Sequence, residues 1–135
     1  MNITKTEQYV FVYGTLKKGF SNHFFISDCE FICKSKTIDK YQLYPNIDRS
    51  FPYLIINEKS QNIYGELYKI EDKEILETLD ILEGYPIHYN KKNIEVENIE
   101  TKEIYNALVY YKNEEFSADI DFLTPLDNWN EIGVS

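Results

Sequence analysis

Short, strand-like segments follow one another along this chain with almost no helix between them. Turn-forming Pro, Asn, Asp and Ser residues separate the segments. Parallel strands need long crossover connections, usually helices, and those are missing. The 12 tyrosines also favour strands and the partly hydrated walls of cavities. The pattern predicts a β-rich fold with strands at residues 8–13, 30–38, 41–44, 52–56, 63–70, 89–99 and 103–112.

Length and charge narrow the classes of function. A chain of 135 residues predicts one domain, spanning residues 1–135. Its formal charge of −9 repels polyanions, so we expect no nucleic-acid partner. The first residues, "MNITKTEQ", lack a signal-peptide layout, and no apolar run approaches the roughly 18 residues of a membrane span. We therefore expect a soluble, cytoplasmic protein without a membrane partner. The segment after residue 112 is acidic and weakly patterned, so we expect it to form a tail that wraps the surface.

The two cysteines indicate nothing catalytic. Cys29 and Cys33 lie in a strand-like apolar context, where an extended backbone would place their Cα atoms roughly 13 Å apart. That separation is too long for a disulfide. We expect two reduced, packed thiols.

A glycine-bracketed loop follows the first strand in "YVFVYGTLKKG". Gly19 is followed by Phe20 and Ser21 rather than by the Lys-Ser/Thr pair of a phosphate loop, and the three glycines of a dinucleotide fingerprint are missing. A structural turn remains possible. Backbone N–H groups after Gly14 could also converge on an anion such as a carboxylate. We expect Lys17 and Lys18 to be solvated, and Asn22 to cap a short helical turn.

One amphipathic helix is predicted from Glu71 or Asp72 to Leu82 or Glu83. Gly84 ends it, and Pro86 forbids continuation. On a helical wheel the apolar stripe consists of Ile75, Leu76, Leu79 and Leu82, with Glu77 and Asp80 towards solvent.

Glu83 falls on that wheel among the apolar residues. Partial burial and the negative end of the helix dipole would both raise the pKa of its carboxyl above about 4.3. Such a group can accept a proton and return it at neutral pH, as general acid–base catalysis requires. The alternative is a frayed helix end with Glu83 in water.

Two motifs in this order, "YGTLKKGFSNH" and "LDILEGYPIHY", with "GELY" between them, resemble the gamma-glutamylcyclotransferase-like superfamily, and within it the gamma-glutamylamine cyclotransferase branch. The resemblance runs from about Tyr9 to Lys112 and fades in the tail. It implies an α+β fold, a mixed β-barrel flanked by short helices, with a cavity at one end.

The resemblance also implies the site. Tyr13, Gly14, Thr15 and Leu16 would line a pocket for the glutamyl head, and Glu83 would be the catalytic acid–base residue.

Other positions stay open. Tyr89 could bind substrate or pack across strands. Lys91 stands where family members often carry Arg, and Lys cannot make the same bidentate contact. His23 and His88 lack metal-ligand spacing, so no metal is expected. Whether Lys17, Lys18, His23 or Lys91 touches substrate is not determined by the sequence.

The implied reaction is an intramolecular aminolysis. The α-amine of a gamma-glutamyl group attacks its own side-chain amide, releasing an amine and 5-oxo-L-proline without a metal, nucleotide or other cofactor. The expected partner is a small gamma-glutamyl amine, such as gamma-glutamyl-ε-lysine, bound by a monomer or weak dimer. The alternatives are another gamma-glutamyl amino acid or metabolite as substrate, or a non-catalytic gamma-glutamyl-binding module.

Overall fold

The computed structural model describes residues 5–56, 60–112 and 120–129. These residues contain one α-helix, α1 (Lys73–Glu83), and one 3₁₀ turn (His23–Phe25). The strands are β1 (Lys5–Val12), β2 (Glu30–Thr37), β3 (Gln42–Pro45), β4 (Pro52–Ile55), β5 (Tyr64–Asp72), β6 (Tyr89–Asn98) and β7 (Ile104–Lys112). Each predicted strand is confirmed, with ends displaced by a few residues.

Five of the strands form a closed barrel in the order β1-β5-β2-β6-β7. The neighbours within that order pair antiparallel. The barrel closes where β1 and β7 pair in parallel, at Val10 and Leu108. Strands β3 and β4 form a separate antiparallel ribbon. The predicted α+β fold with a mixed barrel is confirmed.

Gly65 in β5 lets two strands approach each other closely. A Cβ atom at this position would lie 2.4 Å from the carbonyl oxygen of Val12 and 2.7 Å from the Phe11 ring. Real Cβ atoms do not approach other atoms so closely, so only glycine fits here. This approach holds the end of β1, from which the glycine loop leaves the barrel.

Strand β1 is buried on both faces. Val10 and Val12 pack in one core cluster with Leu79 of α1, whereas Phe11 packs in a second cluster with Val109 of β7. Side chains alternate between the two faces of a strand, so adjacent residues of β1 reach different parts of the core. Leu79 of the helix therefore shares one core cluster with the strand that carries the glycine loop, while the helix itself packs mainly against β5 and the 3₁₀ turn.

Helix α1 has the predicted ends. The Asp72 side chain accepts a hydrogen bond from the Glu74 amide at 2.9 Å, and Gly84 adopts a left-handed conformation with φ of 67°. The buried stripe of the helix is narrower than the wheel predicted, because Leu79 is fully buried whereas Leu82 is 36% exposed. The prediction that Asp80 faces solvent is wrong, because its carboxylate is partly covered by bonded neighbours.

The described part of the C-terminal segment packs against the ribbon of β3 and β4. Isolated bridges join Leu43 to Leu126 and Asn46 to Ile120, and Trp129 is buried. Over residues 120–129 the predicted surface-wrapping tail is confirmed, and the rest of that prediction lies outside the described residues. No helix within the described ranges has the length and apolar character needed to cross a bilayer.

Candidate active site

A cavity of about 550 Å³ lies where the loop after β1, the start of β4 and the C-terminal end of α1 meet the neighbouring ends of β6 and β7. Its size is that of a small-molecule site. All six residues that the sequence singled out for substrate line it, namely Tyr13, Gly14, Thr15, Leu16, Glu83 and Tyr89. The glycine loop and the helix end, some 70 residues apart in sequence, therefore share one cavity.

Hydrogen bonds brace the glycine loop from behind. The Lys17 amide donates to the Gly14 carbonyl at 3.1 Å, which closes a tight turn. Asn22 donates to Thr15 through its backbone amide at 2.9 Å and through its side-chain Nδ2 at 2.8 Å. His23 Nδ1 forms a hydrogen bond with the Leu16 carbonyl oxygen at 2.9 Å. The predicted helix cap by the Asn22 side chain is wrong, because that side chain is engaged by the loop instead.

The backbone amides of Gly14, Thr15 and Leu16 have no hydrogen-bond acceptor among the described residues. Unpaired donors beside a cavity can be satisfied by an anion. Gly14 also lies tightly against β4, since a Cβ there would come within 3.0 Å of the Pro52 ring. The loop thus presents its main chain, rather than side-chain charge, to whatever occupies the cavity.

Glu83 reaches the cavity because of its place in α1. It lies one helical turn after the fully buried Leu79, on the same helix face, and the left-handed Gly84 ends the helix directly after it. The residue is half-buried at the cavity wall. Burial raises the pKa of the Glu83 carboxyl from 4.5 to about 7. The predicted upward shift is confirmed, and the helix end does not point into water.

Two buried tyrosines lie beside Glu83 in the cavity wall. The Tyr13 hydroxyl donates to the backbone carbonyl of Tyr110 at 2.7 Å. Burial, and to a smaller degree the charge of Glu83, raises the pKa of Tyr13 well above its usual value. Burial and a 2.6 Å hydrogen bond to Asp80 likewise raise the pKa of Tyr110. Both phenols therefore stay neutral around the carboxylate.

Lys91 forms a charge pair that the sequence left in doubt. Its Nζ lies 2.9 Å from each carboxylate oxygen of Asp80 and 4.4 Å from the centre of the Tyr85 ring. Lys91 does not line the cavity. The pair instead holds Asp80, which in turn accepts the hydrogen bond of the Tyr110 hydroxyl.

The two lysines of the glycine loop differ from each other. Lys18 is exposed, as predicted. Lys17 is 6% exposed, and its Nζ donates to Asn128 Oδ1 and to the Trp129 carbonyl, each at 2.7 Å. Burial lowers the pKa of Lys17 to about 8. The prediction that Lys17 is solvated is wrong, because the C-terminal segment covers it.

Of the two roles considered for Tyr89, packing across strands is confirmed, whereas substrate binding stays a prediction. Tyr89 lines the cavity, and its ring stacks on that of Tyr53 with 6.1 Å between centroids. Its hydroxyl donates to the Pro52 carbonyl at 3.2 Å. This aromatic pair ties the start of β6 to β4 and forms one cavity wall.

The sequence reasoning missed several residues of the cavity wall. Asn22 was quoted within a motif, and its position in "SNH" was an available signal. The others carry no local signal, because their place in the wall depends on strand pairing across the barrel; they are Pro52, Tyr53, Tyr110 and Lys112.

The described residues include no group of three or more His, Cys, Asp or Glu side chains that could hold a metal ion. Both cysteines are free thiols, Cys33 buried and Cys29 half-buried, as predicted. Burial raises the pKa of each thiol.

Comparison with known protein families identifies the family of this chain. The sequence model described as "Gamma-glutamyl cyclotransferase, AIG2-like" matches residues 10–131. The chain belongs to this family. A family member from Methanocaldococcus jannaschii, which carries gamma-glutamylcyclotransferase as a provisional name, is 43% identical over 105 residues, covering 77% of this chain and 84% of the relative.

A further relative supports the family assignment, and a solved structure shows the same fold. Gamma-glutamylaminecyclotransferase B of Danio rerio is 38% identical over 115 residues, which cover 78% of this chain and 59% of that relative. The crystal structure of an AIG2-like protein from Mus musculus superposes with a TM-score of 0.80 at 24% identity, covering 92% of this chain and 88% of that one. The latter shows that the family fold is shared.

Proposed function

We propose that this member of the gamma-glutamyl cyclotransferase family converts a gamma-glutamyl amine, such as gamma-glutamyl-ε-lysine, to 5-oxo-L-proline and the free amine. One observation carries the proposal: Glu83, with its pKa near 7, lines the same cavity as the loop of Gly14, Thr15 and Leu16, whose amides find no acceptor in the described part of the chain. The name of the Danio rerio relative supports an amine as leaving group.

The glutamyl head would bind through its α-carboxylate. The loop amides supply three N–H donors without charge, and Asn22 and His23 hold the loop in place. Because these donors are already positioned, little reorganisation is needed when the anion arrives. The γ-carbonyl would then point towards Glu83, with its α-amine folded back into a near-attack ring.

Glu83 would move the protons. As a carboxylate it takes a proton from the α-ammonium, and the freed amine attacks the γ-carbonyl carbon to form a tetrahedral intermediate. The C–N bond to the leaving amine then breaks as that nitrogen receives the proton from Glu83. A second proton passes from the ring nitrogen to the leaving amine by the same route, so the products are a neutral lactam and an ammonium ion. A carboxyl with a pKa near 7 can both accept and release protons at neutral pH.

The test is direct. The protein is incubated with gamma-glutamyl-ε-lysine, and 5-oxoproline and lysine are quantified. We expect both products in equal amounts, and a loss of at least about 100-fold in kcat for Glu83→Gln, since one general acid–base group contributes roughly that much. Glu77→Gln is the matched control, because Glu77 is exposed on the same helix.

The outcomes separate the alternatives. Turnover of other gamma-glutamyl amino acids, but not of gamma-glutamyl-ε-lysine, would move the assignment to a different leaving group. Binding of gamma-glutamyl compounds without any 5-oxoproline would indicate a binding module. Full activity of Glu83→Gln would remove Glu83 from the chemistry.

A further inference from the structure

Lys112 places a positive charge in the cavity wall. It is the last residue of β7 and pairs with Tyr89 at the start of β6. Its Nζ lies 5.4 Å from the centre of the Tyr53 ring, so the ammonium sits beside the aromatic wall formed by Tyr53 and Tyr89. Among the described residues that line the cavity, Lys112 is the one Lys or Arg.

The ammonium of Lys112 is not neutralised by the protein within the described residues. Lys36, Lys69 and Lys91 each lie within ion-pair distance of a carboxylate, whereas none of the described carboxylates forms such a pair with Lys112. The ring of the buried Tyr53 beside it favours a cation but supplies no anion to pair with the ammonium. In a chain with a formal charge of −9, a cavity-wall lysine without an ion-pair partner among the described residues is suited to bind an anion.

The gamma-glutamyl head accounts for one carboxylate, which the loop amides of Gly14 to Leu16 would bind. A second anionic group on the substrate can only belong to the leaving amine. We propose that Lys112 determines specificity by binding a carboxylate on the leaving amine, so that amino acids are preferred over simple amines as leaving groups. This inference rests on the proposed function, which it deepens.

The experiment uses two substrates that differ in one group. Gamma-glutamyl-ε-lysine carries the carboxylate of its lysine, and mono-gamma-glutamyl-cadaverine is the same molecule without it. We expect kcat/KM of the wild-type protein to be at least about tenfold higher for the lysine compound, as for a hydrogen bond to a charged group. In Lys112→Met we expect this ratio to fall to about one. Lys92→Met is the matched control, because Lys92 is exposed, does not line the cavity and carries the same charge.

Each outcome has a defined meaning. If the ratio of the two kcat/KM values is near one in the wild-type protein, or if Lys112→Met keeps the wild-type ratio, Lys112 does not recognise the leaving group and the inference is overturned. If Lys112→Met slows both substrates equally, the ammonium serves the glutamyl head instead and the inference is overturned. If neither substrate yields 5-oxoproline even with the wild-type protein, it is the proposed function that fails.

Discussion

The Lys17 ammonium in the glycine loop donates to the backbone carbonyl of Trp129 over 2.7 Å, joining residues 112 apart in sequence. A second bond of the same length goes to Asn128 Oδ1. The loop that presents its amides to the cavity is thus also the anchor of the C-terminal segment. The segment itself stays out of the cavity wall over residues 120–129.

Replacing Lys17 with Met should release that segment. The variant keeps an unbranched apolar side chain but loses the ammonium and its two charge-assisted hydrogen bonds, so we expect a loss of about 1.5–3 kcal/mol in the free energy of unfolding. Trp129 is the single tryptophan of the chain and is buried, so its fluorescence should shift to the red and become more accessible to acrylamide. Lys18→Met, in the exposed neighbour, should behave as wild type. A wild-type emission spectrum in Lys17→Met would contradict the anchor.

Glu83 should make stability depend on pH. Burial raises the pKa of its carboxyl from 4.5, the value without burial, to about 7 in the folded protein. Between these pH values the folded state therefore binds more protons than the unfolded state. The contribution of Glu83 to the free energy of unfolding is therefore fully present below pH 4.5 and is lost as the pH rises through 7. We expect Glu83→Gln to be more stable than wild type at pH 8 by about 1–3 kcal/mol, and the difference to shrink at pH 5. Urea denaturation at both pH values measures it, with Glu77→Gln, at an exposed position of the same helix, as the control. A difference that is equal at pH 5 and pH 8 would argue against a buried, titrating Glu83.

The same pKa should appear in the kinetics. If Glu83 must be ionised to deprotonate the α-ammonium, kcat/KM should rise with pH and level off with an apparent pKa near 7. The measurement is 5-oxoproline formation across pH 5–8. The profile of Glu77→Gln should superimpose on that of the wild type after scaling. A flat profile would assign the proton transfers to another group.

Two glycines with positive φ offer a matched test of the helix end. Gly84 has a φ of 67°, and a Cβ there would lie 2.7 Å from His88 Cδ2. Gly19 has a φ of 89°, but its Cβ would meet open space. Gly19→Ala should cost only the backbone strain of about 1–2 kcal/mol, whereas Gly84→Ala should cost more and displace Glu83, lowering kcat. Urea titration and turnover of both variants measure the difference. Equal effects on stability and kcat would show that the clash with His88 is harmless.

Local sequence patterns were sufficient for the elements of the fold. Short apolar segments bounded by turn-forming residues identified the strands, and the wheel together with Gly84 and Pro86 located the end of α1. These features depend on neighbours a few residues away, so the chain carries them before it folds. The barrel itself, and the pocket role of Tyr13, Gly14, Thr15 and Leu16, came from the resemblance to a family rather than from the pattern.

The errors lie where distant segments meet. Lys17 looked like a solvated charge because nothing near it in sequence indicates that Asn128 and Trp129 cover it. Asp80 falls on the outer side of the helical wheel, yet Lys91 and Tyr110 from two other strands partly cover it. Burial of a charged side chain depends on all the segments that surround it in space. A helical wheel shows only the neighbours on the same helix.

The sequence by itself therefore determined the described strands, helix α1 and the position of Glu83 on the inward face of that helix. Only the tertiary structure decided that Glu83 and the glycine loop share one cavity, that Lys17 is buried, and that Lys112 faces the same cavity from β7. The physical reason is the distance along the chain over which each interaction acts. Periodicity and capping act over one or two turns of backbone, whereas desolvation and charge pairing depend on which segments the closed barrel brings together.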